Sequence, residues 1–318
     1  MEIEHSPVLD DALERGDDPH QRMRRALSRV LESRNLDSEI RERLLCGLPR
    51  RWERLGDLVL LPQTAFIGGG WDAILDSEPQ EVWEAVAAAL KSKKLGRQQS
   101  IMSGPLRRSQ AELLLGEDGR VQHKENGLLY CFDATSVMFS SGNVSERIRM
   151  ARMSTRGETV LDLFAGIGYY TLPLLVHGGV EHLHACEMNP ESAVDLRRNL
   201  ATNGVTDRCT VHEGDNQQIL DASGIEGSID RVLLGLLPDS SAAWPLALSA
   251  LKGEGGWLHV HGNAISGGES RWVADVLDEL AGLSEESGRR RGFDLDHLER
   301  VKSYAPRVTH CVADIRAF

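Results

Sequence analysis

The feature that most constrains the fold is a repeated alternation of strand, loop and helix that begins after Thr159. Apolar runs typical of buried strands alternate there with segments whose apolar residues recur at helical spacing. Such alternation is typical of a parallel sheet covered by helices. We therefore predict an α/β fold with a doubly wound, mostly parallel, Rossmann-like sheet. The predicted strands are 160–164, 182–187, 209–213, 229–234, 257–261 and, last in the chain, 309–315.

The first part of the chain has a different pattern, in which helices and short strands do not alternate regularly. A chain of 318 residues is long enough for two domains. We predict a smaller α+β domain over residues 1–135, with a loose acidic start at 1–18, and the Rossmann-like domain over 136–318. Within the smaller domain, the predicted helices are 19–46 and 78–90, and the predicted strands are 57–61, 112–115 and 128–132.

Charge and composition exclude several classes of protein. The formal net charge of −12 excludes a uniformly basic nucleic-acid-binding protein but allows a local basic face. No apolar run approaches the roughly 20 residues that a membrane-spanning helix needs. The acidic start has no apolar stretch, so we predict no signal peptide and a cytoplasmic protein. The five cysteines are widely spaced without a C-x-x-C motif, which predicts reduced, mostly buried thiols.

A glycine-containing loop follows the first strand of the predicted sheet. It runs from Asp162 to Gly168, and its two glycines, Gly166 and Gly168, allow a tight turn and the close approach of a ligand to a helix N-terminus. A dinucleotide site is the default alternative for such a loop. Its three-glycine fingerprint is absent, however, because Thr171 stands where the third glycine would be.

Two further signals follow the second and third strands. Glu187 lies 19 residues after Gly168, where a carboxylate can accept both ribose hydroxyls of an adenosine, and Asn189 and Pro190 are suited to cap the next helix. The alternative for Glu187 is a solvated charge at a strand end. The Asp215-Asn216 pair suits an adenine edge, although the segment Gly214-Asp215-Asn216 taken alone is only a turn. The three signals in this order predict a binding site for S-adenosylmethionine.

Six segments together resemble the family of tRNA wybutosine-synthesizing protein 2, and the likeness covers residues 50–318. The resemblance implies transfer of the 3-amino-3-carboxypropyl group of S-adenosyl-L-methionine, as co-substrate, onto 4-demethylwyosine at position 37 of phenylalanine tRNA. It therefore implies that the partner is the anticodon-stem region of that tRNA; the sequence identifies no protein partner. The segments that carry the resemblance are 138–147, 162–173, 184–190, 214–216, 234–238 and 301–306.

The resemblance also implies which residues contact S-adenosylmethionine. Family contacts carry over onto Ser140, Arg147, Glu187, Asp215 and Asn216. Many relatives have lysine at the position of Arg147, and the two cations are not interchangeable where geometry is tight. Together with the loop residues, the predicted cofactor-binding set is Ser140, Arg147, Asp162, Gly166, Gly168, Glu187, Asp215 and Asn216.

Two alternative functions remain open at this stage. The first is a tRNA guanosine-37 N1-methyltransferase, whose family has an Asn-Pro-Pro-like segment after the fourth strand. Here that segment is Leu234–Pro238, which offers no side-chain amide and so favours aminocarboxypropyl transfer. The second is a non-catalytic S-adenosylmethionine-binding tRNA module.

The aminocarboxypropyl transfer is a direct displacement that depends mainly on alignment of the reacting atoms. The sequence does not identify the base that removes the final proton.

Histidines and basic residues outside the loops supply the remaining candidates. The pairs His182/His184 and His259/His261 each lie on one face of a strand, but no further ligand spacing supports a metal, so we predict none. His261 is at the carboxyl end of its strand, where it can approach the target base.

A basic window at 91–108 is predicted to contact tRNA rather than form a solvated loop. Its cations are Lys91, Lys93, Lys94, Arg97, Arg107 and Arg108, and Arg147, Arg149, Arg152 and Arg156 are further candidates for phosphates.

Overall fold

The computed structural model describes residues 18–34, 36–99, 110–218 and 224–318. Predictions for the acidic segment 1–17 and for Arg107 and Arg108 lie outside the described residues. Within the described part, residues 18–34, 36–99, 110–121 and 133–138 form one compact unit, and residues 122–132 with the rest from 139 onward form a second. The domain boundary at residue 135 stays a prediction.

The first unit is built on a four-stranded sheet with the order β1-β2-β3-β4, in which β2 and β3 are parallel. The predicted helix 19–46 is two helices, because Asp37 caps the second by accepting a hydrogen bond from the Glu39 amide. A strand, β3, runs through the basic window because Leu95 and Gly96 are buried beside Leu60. The elements are α1 Pro19–Glu32, α2 Ser38–Cys46, β1 Glu53–Leu55, β2 Leu58–Leu61, α3 Trp71–Ser77, α4 Pro79–Ala89, β3 Lys94–Arg97 and β4 Glu112–Leu115.

A two-stranded hairpin comprises β5 (Arg120–Glu125) and β6 (Leu128–Asp133). Its turn residues Asn126 and Gly127 both have positive φ, at 48° and 80°, which is the geometry of the two-residue turn that Asn-Gly favours. Most of the hairpin, from residue 122 to residue 132, belongs to the second unit. This placement brings the end of β5 into the second unit's candidate site.

The second unit is built on a seven-stranded sheet with the order β12-β13-β11-β10-β7-β8-β9. Neighbouring strands from β11 to β9 are parallel, whereas β13 is antiparallel to both β11 and β12. The strand order reverses between β7 and β10, which is where ligands bind in open α/β sheets. The strands are β7 Thr159–Asp162, β8 His182–Glu187, β9 Cys209–Glu213, β10 Arg231–Leu234, β11 Gly256–Ile265, β12 Phe293–Ala305 and β13 Val308–Ala317.

This sheet confirms the predicted fold class. Most strand ends lie within two residues of the predicted ones, and two differences are larger. The edge strand β12 was missed, because its charged residues and register shifts interrupt any apolar run. Strand β11 extends to Ile265, four residues beyond its predicted end, because it pairs with β13 along its whole length. The helices of the unit are α5 Val144–Ala151, α6 Thr171–Pro173 (continued by a π-helical turn, Leu174–Gly178), α7 Pro190–Thr202, α8 Trp244–Ala250 and α9 Glu269–Glu286.

The two faces of β10, β11 and β13 differ in chemistry. On one face, Leu258 and Ile315 pack with α8 and α9 in an apolar cluster. On the other, Arg231 contacts His259 Nε2 at 2.6 Å, and His259 Nδ1 contacts Asp314 at 2.6 Å. Arg149 joins Asp314 to Glu146, and Arg231 is also paired with Glu158. We call this connected set of side chains the polar network. Its members are Glu158, Arg231, His259, Asp314, Arg149 and Glu146.

Two further observations concern the sequence-based predictions about membrane spans and cysteines. None of the helices in the described residues is both long and apolar enough to cross a membrane. All five cysteines are free thiols, but two of them, Cys186 and Cys311, are buried and Cys46 is exposed, so the prediction of mostly buried thiols was too broad.

Candidate functional site

The glycine loop after β7 needs both of its glycines. Gly166 and Gly168 have positive φ, at 57° and 99°. A Cβ atom on Gly166 would lie 2.4 Å from the Tyr169 ring, and one on Gly168 would lie 3.0 Å from Leu172 Cγ. A side chain at either position would therefore strain the backbone and displace neighbours. The loop is consequently held close against its own helix, with its backbone amides at the carboxyl edge of the sheet.

Asp162 supports this loop from below. Its carboxylate is fully buried and accepts hydrogen bonds from the Phe164 amide at 3.2 Å and from Thr171 Oγ1 at 2.8 Å. Burial, with a smaller contribution from the charge of Glu187, raises the pKa of Asp162 to about 7. Thr171, which replaces the third glycine of a dinucleotide site, therefore joins the loop to its strand.

Glu187 is fixed by the backbone on both sides. Its Oε2 accepts a hydrogen bond from the Gly166 amide at 2.7 Å, and its Oε1 accepts one from the Asn189 amide at 2.7 Å. The predicted cap is confirmed, since Asn189 caps α7 and Pro190 occupies its first turn. Burial raises the pKa of Glu187 despite these hydrogen bonds. Each carboxylate oxygen retains further acceptor capacity, so a diol can donate to a carboxylate that is already oriented.

The third loop is joined to the first two. The Gly214 amide donates to the Glu187 carbonyl at 2.9 Å, and Asp215 Oδ1 accepts from the Gln217 amide at 3.0 Å. Asn216 Nδ2 donates to the Leu163 carbonyl at 3.0 Å, which connects this loop to the start of the glycine loop. The structure therefore brings Asp162, Gly166, Gly168, Glu187, Asp215 and Asn216 together at one edge of the sheet.

Arg147 makes contacts within the protein that the sequence did not predict. It is buried, and its Nε and Nη2 donate to Glu125 at 2.5 and 2.7 Å. Its Nη1 donates to the Ser140 carbonyl at 3.0 Å, and its guanidinium lies over the Phe139 ring. Burial alone would raise the pKa of Glu125, but Arg147 and His123 lower it to about 2. The charge of Arg147 is thus paired with Glu125, and its observed contacts position Ser140.

Ser140 precedes α5 and contacts Lys302 of β12. Its Oγ accepts a hydrogen bond from Lys302 Nζ at 2.6 Å. The neighbouring Phe139 ring lies 5.8 Å from the Tyr169 ring of the glycine loop. Sequence reasoning assigned no role to Glu125 or Lys302; the Asn-Gly turn after Glu125 and the motif around Lys302 were the available signals. A hydroxyl and an ammonium group are therefore present where a carboxylate could be bound.

The basic window of the first unit is only partly solvated. Lys94 donates to Asp118 Oδ1 at 2.6 Å, and Arg97 donates to Glu112 Oε2 at 2.7 Å. Lys91 and Lys93 are exposed. In the second unit, Arg149 belongs to the polar network, whereas Arg152 and Arg156 are exposed.

The histidines of both predicted pairs contact protein groups. His184 Nδ1 lies 3.0 Å from His212 Nε2, and His182 contacts Thr210. His259 belongs to the polar network, and His261 Nδ1 lies 3.1 Å from His310 Nε2. Within the residues described, no group of three or more His, Cys, Asp or Glu side chains has an arrangement that could hold a metal ion.

Comparisons with known proteins identify the family to which the chain belongs. A TYW2 N-terminal domain model matches residues 33–119, and a TRM5/TYW2 methyltransferase domain model matches residues 121–270. The chain is 37% identical to the tRNA wybutosine-synthesizing protein 2 homolog of Rattus norvegicus, over 93% of this chain and 77% of that protein. The chain belongs to the tRNA wybutosine-synthesizing protein 2 family.

Two other members of this family show how much of each protein corresponds. The chain is 45% identical to tRNA wybutosine-synthesizing protein 2/3/4 of Arabidopsis thaliana over 94% of its own length, but it spans 29% of that protein. The crystal structure of P. horikoshii TYW2 in complex with MeSAdo superposes with a TM-score of 0.73 at 32% identity, covering 92% of this chain and 98% of that one. Both units of the chain therefore have counterparts in the family.

Proposed function

We propose that the protein transfers the 3-amino-3-carboxypropyl group of S-adenosyl-L-methionine to 4-demethylwyosine at position 37 of phenylalanine tRNA and releases 5′-methylthioadenosine. The observation that carries the proposal is Glu187, a carboxylate held by two backbone amides beside the glycine loop. Its site belongs to a chain whose relatives are named for wybutosine synthesis. The similar P. horikoshii protein is named as a complex with MeSAdo, the by-product expected of this transfer.

In this proposal the adenosine lies over β8 and β9. Glu187 accepts hydrogen bonds from the two ribose hydroxyls, and Asp215 accepts one from the exocyclic amine of adenine. The glycine loop contacts the part of the cofactor between the ribose and the sulfur. Asp162 and Asn216 position the loops rather than bind the cofactor, since their side chains form hydrogen bonds with loop backbone groups.

The methionine arm of the cofactor then extends toward Ser140. The carboxylate of the arm is bound by the Ser140 hydroxyl and Lys302. Arg147 positions the Ser140 backbone, and Glu125 balances the charge of Arg147. The choice of product depends on which carbon beside the sulfonium points at the ring carbon. Near-attack alignment of this kind accounts for about 7–11 kcal/mol of a barrier, so the arm's position selects aminocarboxypropyl rather than methyl transfer.

The tRNA contacts are part of the same proposal. Lys91 and Lys93 in the first unit, and Arg152 and Arg156 in the second, are exposed cations suited to phosphates. We infer that they contact the anticodon stem around position 37. Because the chain has a net charge of −12, such local cations are needed to counter its overall repulsion of RNA.

Product analysis tests the proposed function. The protein is incubated with S-adenosylmethionine and tRNA that carries 4-demethylwyosine, and the nucleoside by-products are separated by chromatography. We expect 5′-methylthioadenosine and a tRNA base that has gained the aminocarboxypropyl group. S-Adenosylhomocysteine would instead identify a methyltransferase, and cofactor binding without either product would identify a non-catalytic module.

A further inference from the structure

Two buried histidines form a bridge that the proposed substrate contacts do not use. His261 on β11 and His310 on β13 are 2% and 0% exposed, and His261 Nδ1 lies 3.1 Å from His310 Nε2. One proton serves this bridge, because one ring must donate and the other accept. The pair therefore shares one bridging hydrogen bond, and each ring keeps one outer nitrogen.

The outer nitrogens of the bridge have no hydrogen-bond partner among the described residues. These atoms are His261 Nε2 and His310 Nδ1, and both are shielded from solvent. Burial lowers the pKa of both rings, with further lowering from neighbouring charges, and that of His310 falls to about 4. The titratable and charged groups facing the pair are His259, Asp314, Arg149, Lys302 and Tyr170. Both imidazoles are consequently neutral at physiological pH, the state in which one outer nitrogen is a free base.

The bridge lies beside the segment that follows β10. Strand β10 ends where Leu234 pairs with Val260, so His261 is the first β11 residue beyond that end. The Asn263 amide donates to the Pro238 carbonyl at 3.2 Å, which holds the segment 234–238 alongside β11. The Tyr170 ring, just before α6, lies 4.9 Å from the His261 ring. His261 is thus next to a residue that follows the glycine loop and on the strand that is bonded to the segment 234–238.

We propose that His261 Nε2, which is covered in this structure, becomes accessible when the target base binds and accepts the proton that the attacked ring carbon loses, and that His310 shares this proton. This inference rests on the proposed function. The ring carbon forms a bond to Cγ of the methionine arm while the S–Cγ bond breaks and its electron pair goes to sulfur. The sulfonium becomes a neutral thioether, and the positive charge moves to the ring. The C–H electron pair then restores the aromatic ring as the proton passes to Nε2.

The bridge explains how buried imidazoles can act here. When Nε2 gains a proton, the Nδ1 proton of His261 can move to His310 Nε2, which spreads the charge over two rings. A weak base suffices, because a proton on a cationic ring carbon is strongly acidic.

The test compares two bridged histidine pairs in one molecule. His261→Asn retains a group near Nδ1 and removes Nε2, whereas His310→Gln retains a group near Nε2 of the second ring. His184→Asn is the matched control, because His184 is also bridged, to His212 at 3.0 Å, but on β8. Single-turnover rates are measured over a range of pH with tRNA whose target ring carbon carries protium or deuterium, and S-adenosylmethionine affinity is measured by calorimetry.

We expect His261→Asn to lose about 10²-fold or more in rate, as is usual when a general base is removed. We also expect a deuterium isotope effect that is absent from the wild type, with S-adenosylmethionine affinity unchanged. His310→Gln should show a smaller loss with the same isotope signature, and it replaces His261→Asn if that variant does not fold. His184→Asn should behave as wild type.

Two outcomes separate this inference from the proposed function. If the wild type makes 5′-methylthioadenosine and the folded His261→Asn and His310→Gln proteins keep its rate and isotope effect, the inference is wrong and the function stands. If the wild type makes S-adenosylhomocysteine, the proposed function is wrong, and the inference fails with it because the ring-carbon proton is no longer at issue.

Discussion

The two halves of the seven-stranded sheet bind polar groups in different ways. In the half formed by β7, β8 and β9, the key carboxylates accept hydrogen bonds from backbone amides of adjoining loops, as Glu187 does from Gly166 and Asn189. In the half formed by β10, β11 and β13, side chains pair with side chains, and Arg149 and Asp314 are 165 residues apart in sequence. The carboxylates of the first half therefore keep acceptor capacity, whereas the charged groups of the second half are paired with one another.

The histidine pairs repeat this difference on a smaller scale. His184 and His212 are half-buried on β8 and β9, whereas His261 and His310 are almost fully buried on β11 and β13. Similar bridge lengths thus occur in environments of different polarity. A short hydrogen bond between two imidazoles does not by itself indicate a role; burial and neighbouring elements do.

The largest expected effect comes from breaking the polar network. Asp314→Ala removes the acceptor of both His259 and Arg149 and should lower the free energy of unfolding by about 3–5 kcal/mol, because buried charges lose their partner. Glu213→Ala, which removes an exposed ion pair with Arg197 in the other half, should cost about 1 kcal/mol or less. Urea unfolding followed by circular dichroism measures both. Equal losses would contradict the difference between the halves.

The network also gives stability an acid dependence. Burial alone would raise the pKa of Asp314, but His259 and Arg149 hold it well below its usual range. A depressed folded-state pKa contributes stability that is present above the unfolded value of about 3.9 and is lost as the pH falls. The difference in unfolding free energy between wild type and Asp314→Ala should therefore shrink below pH 4.

Asp162 should show the opposite pH dependence in the other half. Its folded-state pKa, about 7, lies above the unfolded value, so its contribution to stability is present below pH 4 and is lost as the pH rises toward 7. Asp162→Asn keeps the hydrogen-bonding shape and cannot ionise. The variant should become more stable relative to wild type across this range, by up to about 1.4 kcal/mol per pH unit. A difference that does not change between pH 4 and 7 would contradict the buried, protonated carboxyl.

Removing the charge of Glu187 tests whether the first half holds the adenosine. Glu187→Ala should weaken S-adenosylmethionine binding by about 1.5–3 kcal/mol, because the ribose hydroxyls lose a charged acceptor. Glu187→Gln should weaken it less, since one acceptor oxygen remains. Isothermal titration calorimetry measures the affinities, with Glu213→Ala as the control at the end of the next strand. Unchanged affinity in a folded Glu187→Ala protein would overturn the assignment.

The smallest effect is expected in the first unit. Lys91→Ala with Lys93→Ala should weaken tRNA binding and flatten its dependence on salt, because fewer counterions are released. S-Adenosylmethionine affinity should not change. Lys94 and Arg97 are unsuitable for this test, since replacing them would break the ion pairs with Asp118 and Glu112. If the tRNA affinity and its dependence on salt concentration are both unchanged, the exposed lysines are only solvated.

Much of the cofactor half could be predicted, because its signals are local in sequence. Each carboxylate there lies at the end of a strand or just after it, and Asn189-Pro190 indicates where the next helix begins. The family resemblance, by contrast, implied a cofactor contact for Arg147, and nothing local in the sequence indicates that Glu125, 22 residues earlier, is its partner. It also missed β12, whose charged residues conceal an edge strand.

The sequence by itself determined the alternation of elements, the parallel sheet and the loops that we propose bind adenosine, since periodicity and turn chemistry act over a few residues. Only the tertiary structure decided which charges are paired. Arg149 reaches Asp314 and His261 reaches His310 because β13 returns antiparallel to β11, which places distant residues side by side. Once such groups are buried away from water, their partners rather than their residue types set their charge and their chemistry.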